Sequence, residues 1–474
     1  MVARLKRELH TDVNTDVILR PFALGGEIAA LAVFMNGMAD EGQINDFILR
    51  PGMRRGCMDG AGERRSAFAL SHVFLMQEAE LTRSWAALKV AVEEGRTAVC
   101  IEGDDAAVLM DTRGFVSRGV ETPKNEASVV GPHEAFTENI RTNITLVRRI
   151  VKTDDLVCEL NDAGGKNGIR KALLYRKGVT NEALLTEVRR RFSRVDTMMV
   201  NAAGTLTQLT DAHPFSPVPT VLTTERPDRA AAMLMDGRVA VLLEGSPSAI
   251  VLPVSLYTLM RGPMDAYLRP PLGTVVRAVR YLGTFLSVVL PAFFLALALY
   301  HQGMLSDEIL ATTIASRSMV FLPLGAEMIF LLLMFQLVRE AGVSAPGALG
   351  QSIGIIGGLI LGQAAVSANI VSKVVLIIVA LAGLGNFAVP NFELQLAIIY
   401  YRIVLVAAAW IGGLLGLTAA LLITAGYLAS LKSYGMPFLA PLAPRTGRKG
   451  PILPRGRLQN VARTSDPVNT EGNA

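Results

Sequence analysis

Two hydrophobic rhythms divide the chain. Up to about Tyr281 the apolar runs are short and bounded by glycine, asparagine and charged residues. Short runs of aliphatic and β-branched residues around glycine turns predict strands. Thr97–Ile101 and Ala106–Asp111 are joined by Glu-Gly-Asp-Asp, and Val239–Leu243 and Ala249–Val254 by Glu-Gly-Ser-Pro, so each pair predicts a hairpin. Beyond Tyr281 the runs are long enough to cross a bilayer. Leu282–Tyr300 and Gly350–Val371 carry no charge, Met319–Val338 carries only Glu327, Val374–Val389 is shorter, and Ile403–Ala429 is 27 uncharged residues. Phe392–Tyr401 reads as an interfacial helix or an extension of the last span. Pro291, Pro323 and Pro390-Asn391 are expected to kink or end helices.

The first part repeats itself. Gly95–Asp111 and Gly237–Pro253 share seven of 17 positions at an offset of 142, and Leu31–Glu41 resembles Ala172–Glu182 at 141. Two matches at nearly one offset predict two copies of one α/β module, about 14–125 and 155–255. Each copy reads as a strand, a turn at Gly37 or Gly178, a helix from near Glu41 or Glu182, and the hairpin. The expected fold class is an α+β cytoplasmic region of two repeated α/β modules followed by an all-α polytopic membrane domain. The expected segments are a first module (1–130), a linker helix (131–154), a second module (155–260), a transmembrane domain (261–430) and a basic tail (431–474).

Charge follows the same division. The chain is 51% hydrophobic and 18% charged, with net charge +5 and mean hydropathy +0.39. Residues 1–281 hold 35 Lys+Arg and 34 Asp+Glu, a soluble composition; residues 282–430 hold only 4 and 5; residues 431–474 hold 7 and 2. The basic balance is therefore a property of the tail and no sign of nucleic-acid binding. Arg261, Arg269, Arg277 and Arg280 precede the first span and place that end inside, and the basic tail also belongs inside. Five spans would put the tail outside. Either Val374–Val389 is a re-entrant or paired half-span, or Glu393–Ser430 crosses twice; four or six crossings fit the charges.

Within the predicted bundle, Gly350, Gly354, Gly358 and Gly362 recur every fourth residue, a smooth helix-packing face. Ser352, Gln363 and Ser367 lie on roughly the opposite side, a polar stripe suited to line a pore or to bond a neighbouring helix. Glu327 is the one acid deep in a span, so it faces protein or water. Arg402 is either its partner or a marker of the membrane interface.

The first part offers little catalytic chemistry. Cys57, Cys100 and Cys158 are odd in number and widely spaced, which argues against a disulfide framework or a zinc site. The histidines are scattered, and no nucleophile elbow or phosphate loop occurs. Gly52–Gly62 reads as a surface loop, Arg189–Arg191 as an exposed helix face, and Glu102 and Glu244 as repeated turn chemistry. Glu138, Arg141 and Asn143 form a candidate interaction surface, or simply a solvated side with caps. No catalytic residue, metal site or cofactor is expected. Met1 to Val17 lacks the apolar core of a signal peptide, so the first part is expected on the cytoplasmic side.

Several blocks carry a resemblance to a known family: GPHEAFTENIRTN (Gly131–Asn143), TERPD (Thr224–Asp228), LLEGSPSAIVLPV (Leu242–Val254), LVREAG (Leu337–Gly342), IGGLILGQAAVSANIVS (Ile356–Ser372) and LASLKSYGMPFLAPLAP (Leu428–Pro444). In this order they resemble the A subunit of spore germination receptors, the GerA family, over nearly the whole chain. Gly52–Leu81 matches poorly, and Leu332 and Gln336 stand where acidic residues are expected in relatives. The resemblance implies a multi-pass protein of the spore inner membrane, working with a permease-like B subunit and a lipoprotein C subunit. It also implies a homo-oligomer that forms a nutrient-gated ion channel. A secondary transporter, or an accessory membrane protein of a spore channel complex, is the alternative.

Overall fold

The computed structural model describes residues 14–443, apart from 63, 115–121, 124–125, 127–129, 165, 167, 345–357, 359 and 361. The first part contains two five-stranded sheets built only from antiparallel pairs. The first is ordered β1-β2-β4-β5-β3, with β1 Val17–Leu24, β2 Ile28–Met35, β3 Ala79–Thr82, β4 Thr97–Ile101 and β5 Ala107–Met110. The second is ordered β6-β7-β9-β10-β8, with β6 Leu156–Asp162, β7 Arg170–Arg176, β8 Leu222–Thr224, β9 Val239–Leu243 and β10 Ala249–Leu252. The strand order is the same in both. The expected hairpins are β4–β5 and β9–β10, paired Val99 to Val108 and Val241 to Ile250.

Burial on both faces explains why these strands read as unbroken apolar runs rather than alternating ones. On one face of the first sheet, Ala32, Val99 and Val108 pack on Ile44 and Ile48 of α1 (41–52, wound as a π-helix over Ile44–Leu49) and Ala69 of α2 (Arg65–His72). On the other, Val33, Ala98 and Leu109 pack on Leu88 and Val92 of α3 (Trp85–Glu93). Turn chemistry starts the helices where the sequence places them. Gly37 and Gly178 take positive φ. Asp40 then caps α1 by accepting from the Gly42 and Gln43 amides, and Asn181 caps α5 (Glu182–Ser193) in the same way.

The expected linker helix is α4, Ile140–Ile150, and it does not stand apart. Ile140, Ile144 and Val147 enter the core on one face of the second sheet with Leu174, Leu242 and Val251 and with α7 (Pro227–Met235). The opposite face packs on α5 and α6 (Ala203–Thr210). The two units touch along β6, whose outer edge is covered by residues 14–15: the Thr15 amide donates to the Cys158 carbonyl at 3.1 Å, and the Leu160 amide to Thr15 Oγ1 at 3.0 Å. A buried Arg148–Asp16 ion pair of 2.5 Å closes that seam. The three cysteines are free thiols.

The second part is helical: α8 Pro270–Tyr300, α9 Asp307–Arg317, α10 Leu324–Ser344, α11 Lys373–Phe387 and α12 Phe392–Ser430, with residues 362–367 also helical. Among the described residues α8 and α12 are long and apolar enough to cross a membrane by length and composition. Pro291 lies inside α8 without ending it. The second apolar stretch begins its helix at Leu324, not Met319, because Pro323 stops it from extending backward. Between the first two stretches the chain forms α9.

The last stretch is two helices. Gly413 at φ 57° and ψ −140° breaks α12, and a Cβ built on Gly416 would lie 2.2 Å from the Ala408 carbonyl oxygen. In a straight helix those residues stand about 12 Å apart along the axis. Tyr401 and Tyr427 are also close enough to interact electrostatically. The chain therefore turns back on itself, with arms 392–412 and 414–430 of about 31 and 25 Å. Both free ends return to the second unit: Leu394, Ala397, Ile398, Leu431 and Phe438 share one core with Leu174 and Leu242. Beyond α12 a short ribbon, β11 (Lys432–Ser433) and β12 (Met436–Pro437), docks on that unit, with Ser433 Oγ donating to the Thr220 carbonyl and accepting from the Val254 amide.

Candidate functional site

The helical part holds its one fully buried carboxylate, among the described residues, at a three-way joint. Glu327 lies in the first turn of α10 and is 0% exposed. Its Oε1 accepts from both the amide and the hydroxyl of Ser372, each at 2.6 Å. Its Oε2 accepts from Arg317 Nε at 3.3 Å. Ser372 is the N-cap of α11 and also accepts from the Val375 amide. Arg317 ends α9, and its Nη2 donates to the Leu322 carbonyl at 3.2 Å.

Local sequence explains the assembly. Pro323 opens α10 and places Glu327 where the exposed amides of a helix start favour negative charge. Asn369, at φ 55°, reverses the chain after the helical residues 362–367 and brings Ser372 back to the joint. The carboxylate thus faces two helix starts and one guanidinium, which offsets its desolvation. The arrangement locks three helices together through one charge. Arg402 is not its partner. Arg402 is 3% exposed on α12 and lines a separate cleft with Arg339 and Asn386.

The polar stripe is partly described. Gln363 and Ser367 are exposed, while Ser352, Gly350 and Gly354 lie outside the described residues. Of the packing glycines, a Cβ on Gly358 would meet nothing within 4 Å among the described residues, and one on Gly362 would meet Leu376 at 3.9 Å. Among the described residues, these two glycines do not accommodate a close helix.

The proposed interaction surface divides. Glu138 and Arg141 are exposed, with Arg141 at 3.9 Å from Glu41. Asn143 is corrected to an interior role: it is 1% exposed, and its amide group accepts from the Thr137 amide at 2.7 Å and donates to the Thr137 carbonyl at 2.5 Å. It satisfies the turn that feeds α4 and presents no face. Glu102 and Glu244 sit at the turns of separate sheets, where the Glu102 carbonyl accepts from Arg65 and the Glu244 carboxylate from the Arg170 amide. Among the described residues no group of three or more His, Cys, Asp or Glu converges to hold a metal.

The joint between the α/β and helical parts went unread in the sequence. Arg280 of α8 is buried and forms a two-point pair with Asp265 at 2.7 and 3.0 Å, with Arg277 at 3.7 Å. Two of the four arginines used to orient the first span are therefore paired inside the fold. Nearby, Arg226 pairs with Asp228 at 2.8 Å, Asp228 accepts from the Tyr267 hydroxyl, and Arg229 pairs with Glu126. Burial pushes the Asp228 carboxyl up, but Arg226 and Tyr267 outweigh it and hold it below the usual range. The TERPD block is thus a clasp between the linker, α7 and the approach to α8. Its alternating charges were the available signal.

Comparison with known proteins matches this architecture to one family. The profile of the Bacillus/Clostridium GerA spore germination protein family matches residues 3–463. Spore germination protein KA of Bacillus subtilis (strain 168) is 30% identical over 445 residues, 94% of this chain and 81% of that protein. The uncharacterized membrane protein YfkQ of the same strain is 29% identical over 482 residues, 98% of this chain and 93% of that one. The crystal structure of the N-terminal domain of the A subunit of the Bacillus megaterium spore germinant receptor GerK3 aligns with a TM-score of 0.42 at 24% identity, covering 53% of this chain and 92% of that one.

Proposed function

The chain belongs to the GerA family of spore germination proteins, and from that premise we propose that it is the membrane subunit of a nutrient-responsive germination receptor. The observation that carries this reading is a family match running through both the soluble and the helical part. The shared core between the second sheet and the two ends of α12 supports a mechanical role, because a displacement of the soluble part reaches the helices without slack.

In this reading the two units (1–130 and 155–260) are copies of one module. They lie with the tail (431–474) on the cytoplasmic side of the spore inner membrane, and the helices of 261–430 cross it. α8, α10, the segment through 362–367, α11 and the two arms of α12 make six passes, the even count that the charges require. α11, at about 22 Å, is a short pass paired with the segment before it. The open space at Gly358 is filled by a helix of a second copy, giving a homo-oligomer in lipid. Ser352, Gln363 and Ser367 then face its axis and line an ion path. Glu327 fixes the frame around that path, Glu138 and Arg141 face a partner, and a permease-like B subunit and a lipoprotein C subunit complete the receptor. The chain itself catalyses no reaction and needs no cofactor.

The test is spore germination with Gln363→Cys and Ser367→Cys chains. A membrane-impermeant thiol reagent applied with nutrient is expected to modify both positions and slow ion release. Uniform protection of both positions during germination contradicts the pore assignment.

A further inference from the structure

The cleft around Arg402 has no role in the joint at Glu327. It lies where α10, α11 and α12 approach the soluble part, close to Leu394, Ala397 and Ile398 of the shared core. Arg402, Arg339, Asn386 and Gln336 contribute its polar lining, and Leu332 and Ile399 are among its apolar walls. Arg402 is 3% exposed, and its Nε–H has no acceptor. Arg339 Nη2 is likewise unpartnered, as is Asn386 Oδ1. Among the described residues Arg339 reaches Gln395 Oε1, at 3.5 Å, and stacks over Phe392. Among the described residues no carboxylate pairs with either arginine; the neighbouring Glu340 is exposed. Two converging guanidiniums in an apolar wall, with donors left open, demand an anion, because an unpaired buried charge costs several kcal/mol.

The shape of the cleft selects the anion. Its enclosed part has room for about one water, while its free space including the mouth is about 260 Å³. One oxygen of a larger group reaches Arg402, and the rest stays at the mouth beside the half-buried Arg339. The amide of Asn386, turned about its last bond, adds a donor. We propose that Arg339 and Arg402 form a binding site for the phosphate of an anionic phospholipid headgroup on the side of the bundle facing the soluble part. A headgroup is held by its own chain at that depth, whereas a free phosphate would need to be engulfed. Guanidinium forks suit phosphate oxygens better than a lysine would. The site rests on the reading that these helices lie in a bilayer, and resistance of the chain to alkaline extraction from membranes tests that reading separately.

The experiment is native mass spectrometry of the full chain, purified with phosphatidylglycerol or phosphatidylcholine. The wild type is expected to retain one phosphatidylglycerol per chain, at least about tenfold more persistently than phosphatidylcholine. Arg402→Gln and Arg339→Gln are each expected to lose that preference, and Arg402→Lys to keep part of it. If Arg402→Gln does not fold, the half-buried Arg339→Gln carries the test. Equal retention of the two lipids, or retention unchanged in Arg339→Gln, overturns the proposal. Displacement of the lipid by millimolar inorganic phosphate, with the same stabilisation of the chain, assigns the site to the free ion and overturns the lipid source.

Discussion

Replacing Glu327 by glutamine changes one atom of the buried joint and leaves its volume almost untouched. The amide oxygen can keep both bonds from Ser372. The amide nitrogen then faces Arg317 Nε–H, donor against donor, where Oε2 had accepted at 3.3 Å. A charge-assisted bond of that kind contributes about 1.5–3 kcal/mol. Two helix starts add about 0.3–1 kcal/mol each for a carboxylate over an amide. Two effects act the other way. Glutamine avoids the desolvation of a charge, and Arg317, 27% exposed along its side chain, recovers hydration by turning outward. The net destabilisation is about 2 kcal/mol. Glu327→Ala also orphans the Ser372 amide and leaves a cavity, for about 4 kcal/mol. The assay is unfolding of the solubilised full chain, with a double-mutant cycle against Arg317→Ala. The cycle is expected to return a coupling of about 1 kcal/mol or more. A coupling near zero, or a Glu327→Gln chain as stable as the wild type, refutes the claim that this carboxylate holds α9, α10 and α11 together.

Further substitutions test other joints. Gly413→Ala puts a side chain at a backbone position that L-residues rarely adopt, with its Cβ 2.9 Å from Tyr300; a loss of about 1–3 kcal/mol is expected, and unchanged stability contradicts the turn. Asp265→Asn leaves Arg280 buried opposite an amide and is expected to cost about 3 kcal/mol or more, read as a lower unfolding midpoint. Glu93 at the end of α3 has its carboxyl pushed up to about 7 by burial and by Asp154, against Arg148 and Lys89. A raised carboxyl favours the fold below its unfolded value near 4.5 and loses that advantage as pH climbs through about 7. Glu93→Gln is therefore expected to stabilise the chain by about 1–2 kcal/mol at pH 8, after discounting for solvent screening, and to change little at pH 4. Urea midpoints at the two pH values decide it, and a variant with no gain at pH 8 removes the explanation.

The hairpins and the turn-to-helix steps were legible because they are local: apolar runs end at glycines with positive φ, and a capping residue follows. Edge strands were not. β1 contains Arg20 and Pro21, tolerable only because it lies at the margin of the sheet, and β8 is three residues long. The reversal of α12 showed itself only indirectly, as a conflict between span count and tail charge. Gly413 sits in an uncharged run with no polar residue to mark a turn. Glu327 was legible as an isolated acid in an apolar stretch, but its partners were not. Arg317 lies between the apolar stretches, ten residues before Glu327, and Ser372 acts through a backbone reversal at Asn369. The pairing of Arg280 with Asp265 was not legible, since a pair inside the fold looks the same in sequence as charge beside a membrane.

The most direct test of the functional claim is ion release from spores whose only receptor of this type contains the chain described here. With Gln363→Cys in place, nutrient alone is expected to release ions normally, and a membrane-impermeant thiol reagent given with nutrient is expected to slow the release. Normal release after complete modification of that cysteine contradicts the assignment of this helix to the ion path.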